Sequence, residues 1–266
     1  GMTDFTTDPT FSTVEASGLA MGDLNGDGNP DLVVANSASP ATAALVRLNT
    51  SSAAGVLSFS AATTLTVGEV NTFDTAIADL DGDGRLDIAV TPSGLGDAGI
   101  VVVFRNQTST GSMTPSFSSA QNVSTGGMPR KIVAVDLDGD GRPELVYANN
   151  TTAVGNADKI AVLRNISVSG TISFDVKQNV AVGTQPLGIA AGDLDGDGKA
   201  DLAVCNAATT TVSILKNRST VGTISLTTDV TLTGLASPYE VAIGDFDGDF
   251  KLVLVVGNFG VSTVSF

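Results

Sequence analysis

An acidic, glycine-rich stretch recurs along the chain and constrains its fold more than any other feature. It reads LNGDGNPD from Leu24, LDGDGRLD from Leu80, LDGDGRPE from Leu137 and LDGDGKAD from Leu194, with a changed copy, FDGDFKLV, from Phe246. We number these stretches loops 1 to 5 and begin each at the aspartate before the quoted letters. Those aspartates, 56, 57, 57 and 52 residues apart, are Asp23, Asp79, Asp136, Asp193 and Asp245. The spacing predicts five similar repeats that fill the chain of 266 residues.

Each repeat contains four short runs of apolar and β-branched residues, separated by Gly, Asn, Asp and Pro. In the fourth repeat the runs are GIAAGD before the loop, then DLAVCN, TVSILKN and ISLTTDV after it. Helical spacing of the apolar residues is missing, so we interpret the runs as strands and call them A to D in chain order. Strands A to C are apolar on both faces, whereas strand D is polar and alternating, which suits an outer edge. Four such strands are typical of a β-propeller blade.

The repeats therefore predict an all-β fold, a β-propeller of five four-stranded blades that forms a single domain over residues 1–266. The last repeat reaches only its C strand, and the chain begins with TDFTTDPTFSTV, which is similar to the D runs. We expect this N-terminal strand to complete the last blade and close the ring, because closure removes an open sheet edge.

Charge and composition exclude several classes of function. The net charge is −15 and the pI is near 4.1, so neither nucleic acid nor an anionic membrane is an expected partner. No apolar run approaches the roughly 20 residues of a membrane span, so membrane insertion is not expected. The chain has no histidine, which excludes a Ser-His-Asp triad. Its single cysteine, Cys205, lies in the apolar run LAVC and is predicted to be a buried structural thiol.

The carboxylates of loop 2 stand at alternate positions. Counted from the first aspartate, positions 1, 3, 5 and 9 are Asp79, Asp81, Asp83 and Asp87. Glycines at positions 4 and 6 allow positive φ, and the tight fold turns alternate side chains inward. The resulting cage of carboxylate oxygens, with one backbone carbonyl, matches the roughly six to eight oxygen ligands that Ca²⁺ prefers.

Two other structures use similar residues. An Asp-Gly hairpin turn needs no metal, and the loops remain compatible with that interpretation. An EF-hand requires a Glu at position 12 and flanking helices. The position-12 residues of loops 1 to 4 are instead Val34, Val90, Tyr147 and Val204. The EF-hand is therefore excluded.

The stretches GDLNGDGNPDLVVAN, ADLDGDGRLDIAV, VDLDGDGRPELVYAN and GDLDGDGKADLAVCN resemble the FG-GAP, or VCBS, repeat. This repeat is the calcium-binding blade of integrin α-chain propellers and of many bacterial secreted proteins. The resemblance implies a Ca²⁺ cofactor in the A–B loop of each intact blade. The implied side-chain ligands are Asp23, Asn25, Asp27 and Asp31 in loop 1, Asp79, Asp81, Asp83 and Asp87 in loop 2, Asp136, Asp138, Asp140 and Glu144 in loop 3, and Asp193, Asp195, Asp197 and Asp201 in loop 4. The implied backbone-carbonyl ligands, all at position 7, are Asn29, Arg85, Arg142 and Lys199.

Loop 5 departs from this pattern. Phe250 replaces the glycine of position 6, and Val253 replaces the acid of position 9. Its remaining acids are Asp245, Asp247 and Asp249. We expect this fifth site to be weak or empty.

The resemblance implies a secreted or cell-surface protein. We expect a calcium-stabilised extracellular binding or adhesion module that recognises a glycan or a surface protein through its B–C and D–A turns. These turns vary between repeats while the loops do not, as binding turns on a rigid scaffold commonly do. Their most notable residues are Asp97, Arg130, Tyr239 and Glu240.

Two alternative functions stay open: a calcium-dependent polysaccharide-acting enzyme, and a structural part of a larger adhesin or propeller. An enzyme is not expected, because histidine is missing and the loops hold most of the carboxylates. Loops 1 and 5 hold three acids each and the others four each, which is 18 of the 28 in the chain.

Asn-X-Ser/Thr sequons recur after the C strands of the first four repeats, at Asn49, Asn106, Asn165 and Asn217. Glycosylation is one interpretation of the recurrence. Asparagines that cap a C–D turn explain the regular placement better.

Overall fold

The computed structural model describes residues 16–37, 43–52, 57–68, 71–92, 99–150 and 158–265. Over these ranges the chain forms β-strands joined by turns, and no helix occurs among them. The strands make five antiparallel sheets in which neighbours in sequence are neighbours in space. Each sheet is one repeat, so these sheets are the blades of the predicted five-bladed β-propeller and the all-β fold class is confirmed.

The strand bounds follow the repeat. Blade 1 consists of β1 (Ala16–Gly22), β2 (Asp31–Asn36), β3 (Ala43–Arg47) and β4 (Thr63–Thr66). Blade 2 consists of β5 (Thr72–Ala78), β6 (Asp87–Pro92), β7 (Ile100–Phe104) and β8 (Gln121–Ser124). Blade 3 consists of β9 (Pro129–Val135), β10 (Glu144–Asn149), β11 (Lys159–Leu163) and β12 (Gln178–Ala181). Blade 4 consists of β13 (Pro186–Gly192), β14 (Asp201–Asn206), β15 (Thr211–Asn217) and β16 (Leu226–Leu232). Blade 5 consists, within the described ranges, of β17 (Pro238–Gly244), β18 (Val253–Asn258) and β19 (Thr263–Ser265).

Burial of the strands matches the polarity pattern of the sequence. Every residue of the B strands β6, β10 and β14 is buried, as expected for a strand covered on both faces. The D strands alternate or are exposed throughout, and β16 has one half-buried residue followed by six exposed ones. Strand D is therefore the outer edge of the blade, as predicted.

The chain divides into two compact units. One contains blades 1 and 2, and the other contains blades 3 to 5 together with residues 79–83 of loop 2. The predicted N-terminal closing strand lies outside the described residues, so closure of the ring stays a prediction. The assignment of residues 1–266 to a single domain also stays a prediction.

Within each unit, adjacent blades pack face to face. Ile160 and Val162 of blade 3 pack in one apolar cluster with Ile189, Leu202 and other residues of blade 4. The A strands approach so closely that glycine is needed between them. A Cβ on Gly188 would lie 2.8 Å from the Cα of Glu240 in the next blade.

Candidate metal centre

The A–B loops fold in the conformation that their glycines predict. In loop 2, Gly82 and Gly84 have φ of 71° and 86°, and the glycines at the same positions of loops 1, 3 and 4 are also at positive φ. In loop 5, Phe250 adopts the same left-handed conformation with φ of 65°, although its side chain disfavours it. The backbone of loop 5 therefore keeps the conformation of the other loops, but this conformation is strained at Phe250.

The position-1 aspartates hold these loops closed. The Oδ1 of Asp136 accepts a hydrogen bond from the N–H of Gly139 at 2.8 Å, and its Oδ2 accepts one from Gly141 at 2.8 Å. Asp23, Asp193 and Asp245 make the same pair of bonds in their own loops. The Asp-Gly turn is thus present, and it leaves lone pairs of both oxygens for a further ligand.

Carboxylates of the loops come close enough to share one cation. In each of four loops, three acids have oxygens within 4.8 Å of one another: Asp79, Asp81 and Asp87; Asp136, Asp138 and Glu144; Asp193, Asp195 and Asp197; Asp245, Asp247 and Asp249. The donor set is purely oxygen and strongly anionic, which suits a hard divalent cation rather than a thiolate- or imidazole-binding metal. These residues therefore fit a bound metal ion.

The position-9 acid links its loop to the C strand of the same blade. In loop 3, Glu144 accepts the N–H of Leu137 through Oε2 at 2.8 Å and the N–H of Asn165 through Oε1 at 3.2 Å. Asp31 and Asp201 make the equivalent two bonds in blades 1 and 4. This role adds to the metal-ligand role that the sequence suggests, because each oxygen keeps a second lone pair.

A family model described as FG-GAP-like repeat matches residues 23–90 and 150–204. The chain carries FG-GAP-like repeats. The first match includes loops 1 and 2, and the second includes loop 4. No curated protein matches the chain. The part of the chain that the structure describes has no helix that is long and apolar enough to span a membrane.

The position-3 residues of the FG-GAP-like loops reach the next repeat. The Oδ2 of Asp81 accepts the N–H of Gly170 at 2.9 Å, and that of Asp138 accepts the N–H of Gly222 at 2.8 Å. In loop 1, the amide of Asn25 donates to Ser112 O at 3.2 Å instead. A C–D turn of the following blade therefore covers each of these three loops. In loop 4 the ammonium of Lys216, on β15, bonds to Asp195.

The basic position-7 side chains of loops 2 to 4 reach the C–D turn of their own blade. Arg85 Nε donates to Asn106 O at 3.1 Å, and Lys199 Nζ donates to Ser219 O at 2.6 Å. Arg142 Nη1 donates to Ser167 O at 3.0 Å, while its Nη2 pairs with Asp140 Oδ2 at 2.8 Å. This arrangement is compatible with position 7 offering only its carbonyl. It also places Asp140 in an ion pair, whereas Asp136, Asp138 and Glu144 form the cluster.

Three of the four sequon asparagines bond to the preceding blade. Asn165 is fully buried, and its Nδ2 donates to Leu80 O of the preceding repeat at 2.8 Å and to Pro143 O at 3.0 Å. Its Oδ1 accepts the N–H of Ser167 at 2.9 Å, which caps the C–D turn. Asn106 and Asn217 make the same set of bonds, to Leu24 O and Leu137 O respectively. The turn-capping interpretation is therefore supported, and the bond between blades is a role that sequence reasoning missed.

Burial and mutual repulsion perturb the acids of the loops. Burial and the charges of Asp138 and Asp136 together raise the pKa of Glu144 to about 7, against the opposing effect of two backbone donors. Burial likewise raises the pKa of Asp31. In contrast, hydrogen bonds from Arg142 outweigh burial and lower the pKa of Asp140. A divalent cation would offset the repulsion that the buried carboxylates experience.

At the D–A and B–C turns, four residues stand out in the sequence, and the structure describes three of them. Lys131 Nζ lies 3.2 Å from Glu240 Oε1, joining blades 3 and 5. Burial lowers the pKa of Arg130, and the charge of nearby Tyr239 opposes this shift. Asp97 lies outside the described residues. The D–A ends of blades 3 and 5 thus bring two cations, a carboxylate and a phenol into one neighbourhood.

Proposed function

We propose that this chain is a calcium-stabilised extracellular binding module. At the coarse level, its FG-GAP-like propeller fold is that of an extracellular binding module. The observation that carries the calcium proposal is the set of carboxylate triads in loops 2 to 4, with oxygens within 4.8 Å of one another. Ca²⁺ is favoured over Mg²⁺ because it accepts variable geometry and more protein ligands, whereas Mg²⁺ keeps its waters.

The residues that would hold Ca²⁺ are the predicted ligands at positions 1, 3, 5 and 9 of loops 1 to 4. When bound, the ion supplies positive charge that neutralises the acids and cross-links the two ends of the loop. Four divalent ions carry eight positive charges and would move the net charge from −15 to −7. We infer that calcium is a structural ligand in this protein.

Thermal unfolding and calorimetric titration test this proposal. A free Ca²⁺ concentration of 100 times the dissociation constant of a site stabilises the folded protein by about 2.7 kcal/mol. Millimolar Ca²⁺ should therefore raise the Tm clearly above the Tm in EDTA. Asp138→Asn should remove one ion from the titrated stoichiometry, whereas Asp229→Asn, on the exposed D strand β16, should leave it unchanged. Equal Tm values in Ca²⁺ and EDTA would overturn the proposal.

The ligand is proposed to be a glycan or a surface protein that binds at the B–C and D–A turns. What supports this location is the grouping of Arg130, Lys131, Tyr239 and Glu240 at the D–A ends of blades 3 and 5. A glycan array probed in millimolar Ca²⁺, with EDTA as control, tests the glycan class. Calcium-dependent binding to one sugar class would support a lectin. If the folded protein binds no glycan on the array, a surface protein remains as the proposed ligand.

Catalysis is not part of this proposal. No histidine is present to act as a base, and the carboxylates of the loops are engaged in backbone bonds and acid clusters. Release of unsaturated or reducing ends from acidic and neutral polysaccharides would contradict this and favour the enzyme alternative.

A further inference from the structure

Loop 4 differs from loops 2 and 3 in the arrangement of its acids. In loops 2 and 3 the clustered carboxylates are those of positions 1, 3 and 9, and the residues at positions 3 and 9 are buried. In loop 4 the cluster consists of positions 1, 3 and 5, and the residues at positions 3 and 5, Asp195 and Asp197, are exposed. The acid cluster of loop 4 is therefore more open than those of loops 2 and 3.

A basic side chain enters the acid cluster of loop 4. The ammonium of Lys216 bonds to Asp195 Oδ2 and lies 3.8 Å from Asp197 Oδ2. In loops 2 and 3, by contrast, the position-3 carboxylate accepts a backbone N–H from the C–D turn of the next blade. Positions 3 and 5 are predicted calcium ligands, so Lys216 places a positive charge against two of the acids that would bind the ion.

The neighbouring blade explains why Lys216 pairs with its own loop. By strand register, Arg164 is the counterpart of Lys216 in blade 3, and it pairs with Asp175 at 3.0 Å. The counterpart of Asp175 in blade 4 is Thr227, which carries no charge. Because blade 4 has no acid at this place beside its C strand, the base of that strand pairs with the acids of loop 4 instead.

We propose that Lys216 is an internal counter-cation of loop 4 that competes with Ca²⁺ for its carboxylates. This inference rests on the calcium proposal above and concerns the regulation of one of its sites. The ammonium and a divalent ion repel each other, so Lys216 must leave the cluster when calcium binds. Its side chain is 27% exposed and ends a flexible four-carbon stem, so it can swing into solvent while the blade stays folded. Loop 4 should therefore fill only at higher calcium concentrations than loop 3.

Two glycine amides report separately on loops 3 and 4. The N–H of Gly141 bonds to Asp136 Oδ2 at 2.8 Å, and the N–H of Gly198 bonds to Asp193 Oδ2 at 2.9 Å. Their NMR signals should therefore shift when calcium fills the loop in which each glycine lies. In a calcium titration of the wild-type protein, the midpoint of Gly198 should lie above that of Gly141.

Lys216→Met tests the competition. Loss of one positive charge beside a divalent ion in a solvent-exposed site should lower the calcium midpoint of Gly198 by about tenfold and leave that of Gly141 unchanged. In EDTA the variant should have a lower Tm than the wild type, because the acids of loop 4 then repel one another without their counter-cation. Arg164→Met is the matched control, since it removes the same charge from the same strand position of blade 3. It should leave the midpoint of Gly198 unchanged.

The titration separates a failure of this inference from a failure of the calcium proposal. If Gly141 shifts with calcium but Lys216→Met and the wild type have the same midpoint at Gly198, Lys216 does not compete and only this inference is overturned. A wild-type midpoint of Gly198 at or below that of Gly141 would also overturn it. If neither amide shifts in the folded protein, the calcium proposal fails, and this inference fails with it.

Discussion

Replacing Asn165 by alanine is the most direct test of how the repeats are joined. Asn165 is fully buried and makes three side-chain hydrogen bonds, of which the bond from Nδ2 to Leu80 O crosses to the preceding repeat. Alanine removes all three. At about 1 kcal/mol net for each bond, the free energy of unfolding should fall by about 3 kcal/mol.

Asn49 provides a matched control for this substitution. It occupies the same position in blade 1, where its side chain bonds to Pro30 O at 3.1 Å and to the N–H of Ser51 at 3.0 Å. Over the described part of the chain, no side-chain bond of Asn49 reaches another blade. Asn49→Ala should therefore cost about 2 kcal/mol, and the difference of about 1 kcal/mol isolates the bond between blades.

The assay is equilibrium unfolding in denaturant, in EDTA, so that metal binding does not add to the difference. Circular dichroism and tyrosine fluorescence should be recorded together, because coincident transitions are needed before one free energy is assigned. If the two variants lose the same stability within about 0.5 kcal/mol, the bond to Leu80 contributes nothing, and its role in joining the repeats is refuted.

Three further predictions follow from single features of the structure. Phe250→Gly should raise the free energy of unfolding in EDTA by about 1 kcal/mol, because it relieves a left-handed residue in loop 5; an unchanged denaturation midpoint would contradict this. Cys205 should resist a thiol reagent at pH 8 until the protein unfolds, because it is buried and burial raises its pKa to about 12; rapid labelling of the folded protein would be inconsistent with that burial. Gly188→Ala should destabilise the protein, since its Cβ would meet backbone of blade 5 at 2.8 Å, and a wild-type Tm would show that the A strands can separate freely.

Much of the fold could be predicted from the sequence because each blade repeats the same local rules. The B strands, such as DLAVCN, are apolar throughout, and the structure buries them on both faces. The glycines of the loops predicted positive φ, and the loops have it. These features depend on residues that are close together in sequence, so the local amino-acid pattern is enough to predict them.

Other features depend on residues far apart in sequence and could not be predicted. The carbonyl that Asn165 binds is 85 residues away, and nothing in its sequon identifies that partner. A weak signal existed, because the asparagine recurs at the same place in the first four repeats. Likewise, Leu19 and Val241 both read as core residues, yet one is 58% exposed and the other 3%. The burial of such a residue depends on which other elements cover its face of the blade, and no single repeat encodes that.

The acid at position 9 shows why the metal loop and the joint between blades belong together. Glu144 accepts the N–H of Leu137 with one oxygen and the N–H of Asn165 with the other, and Asn165 in turn bonds to Leu80 of the preceding repeat. Only a carboxylate has two equivalent acceptor oxygens with lone pairs left for a cation, whereas an amide has one. An acid at this position therefore bonds to its own loop and to the C strand, and through Asn165 it is connected to the preceding blade. Val253 can accept neither of these backbone bonds, and loop 5 lacks the position-9 carboxylate that the calcium proposal uses as a ligand in loops 1 to 4.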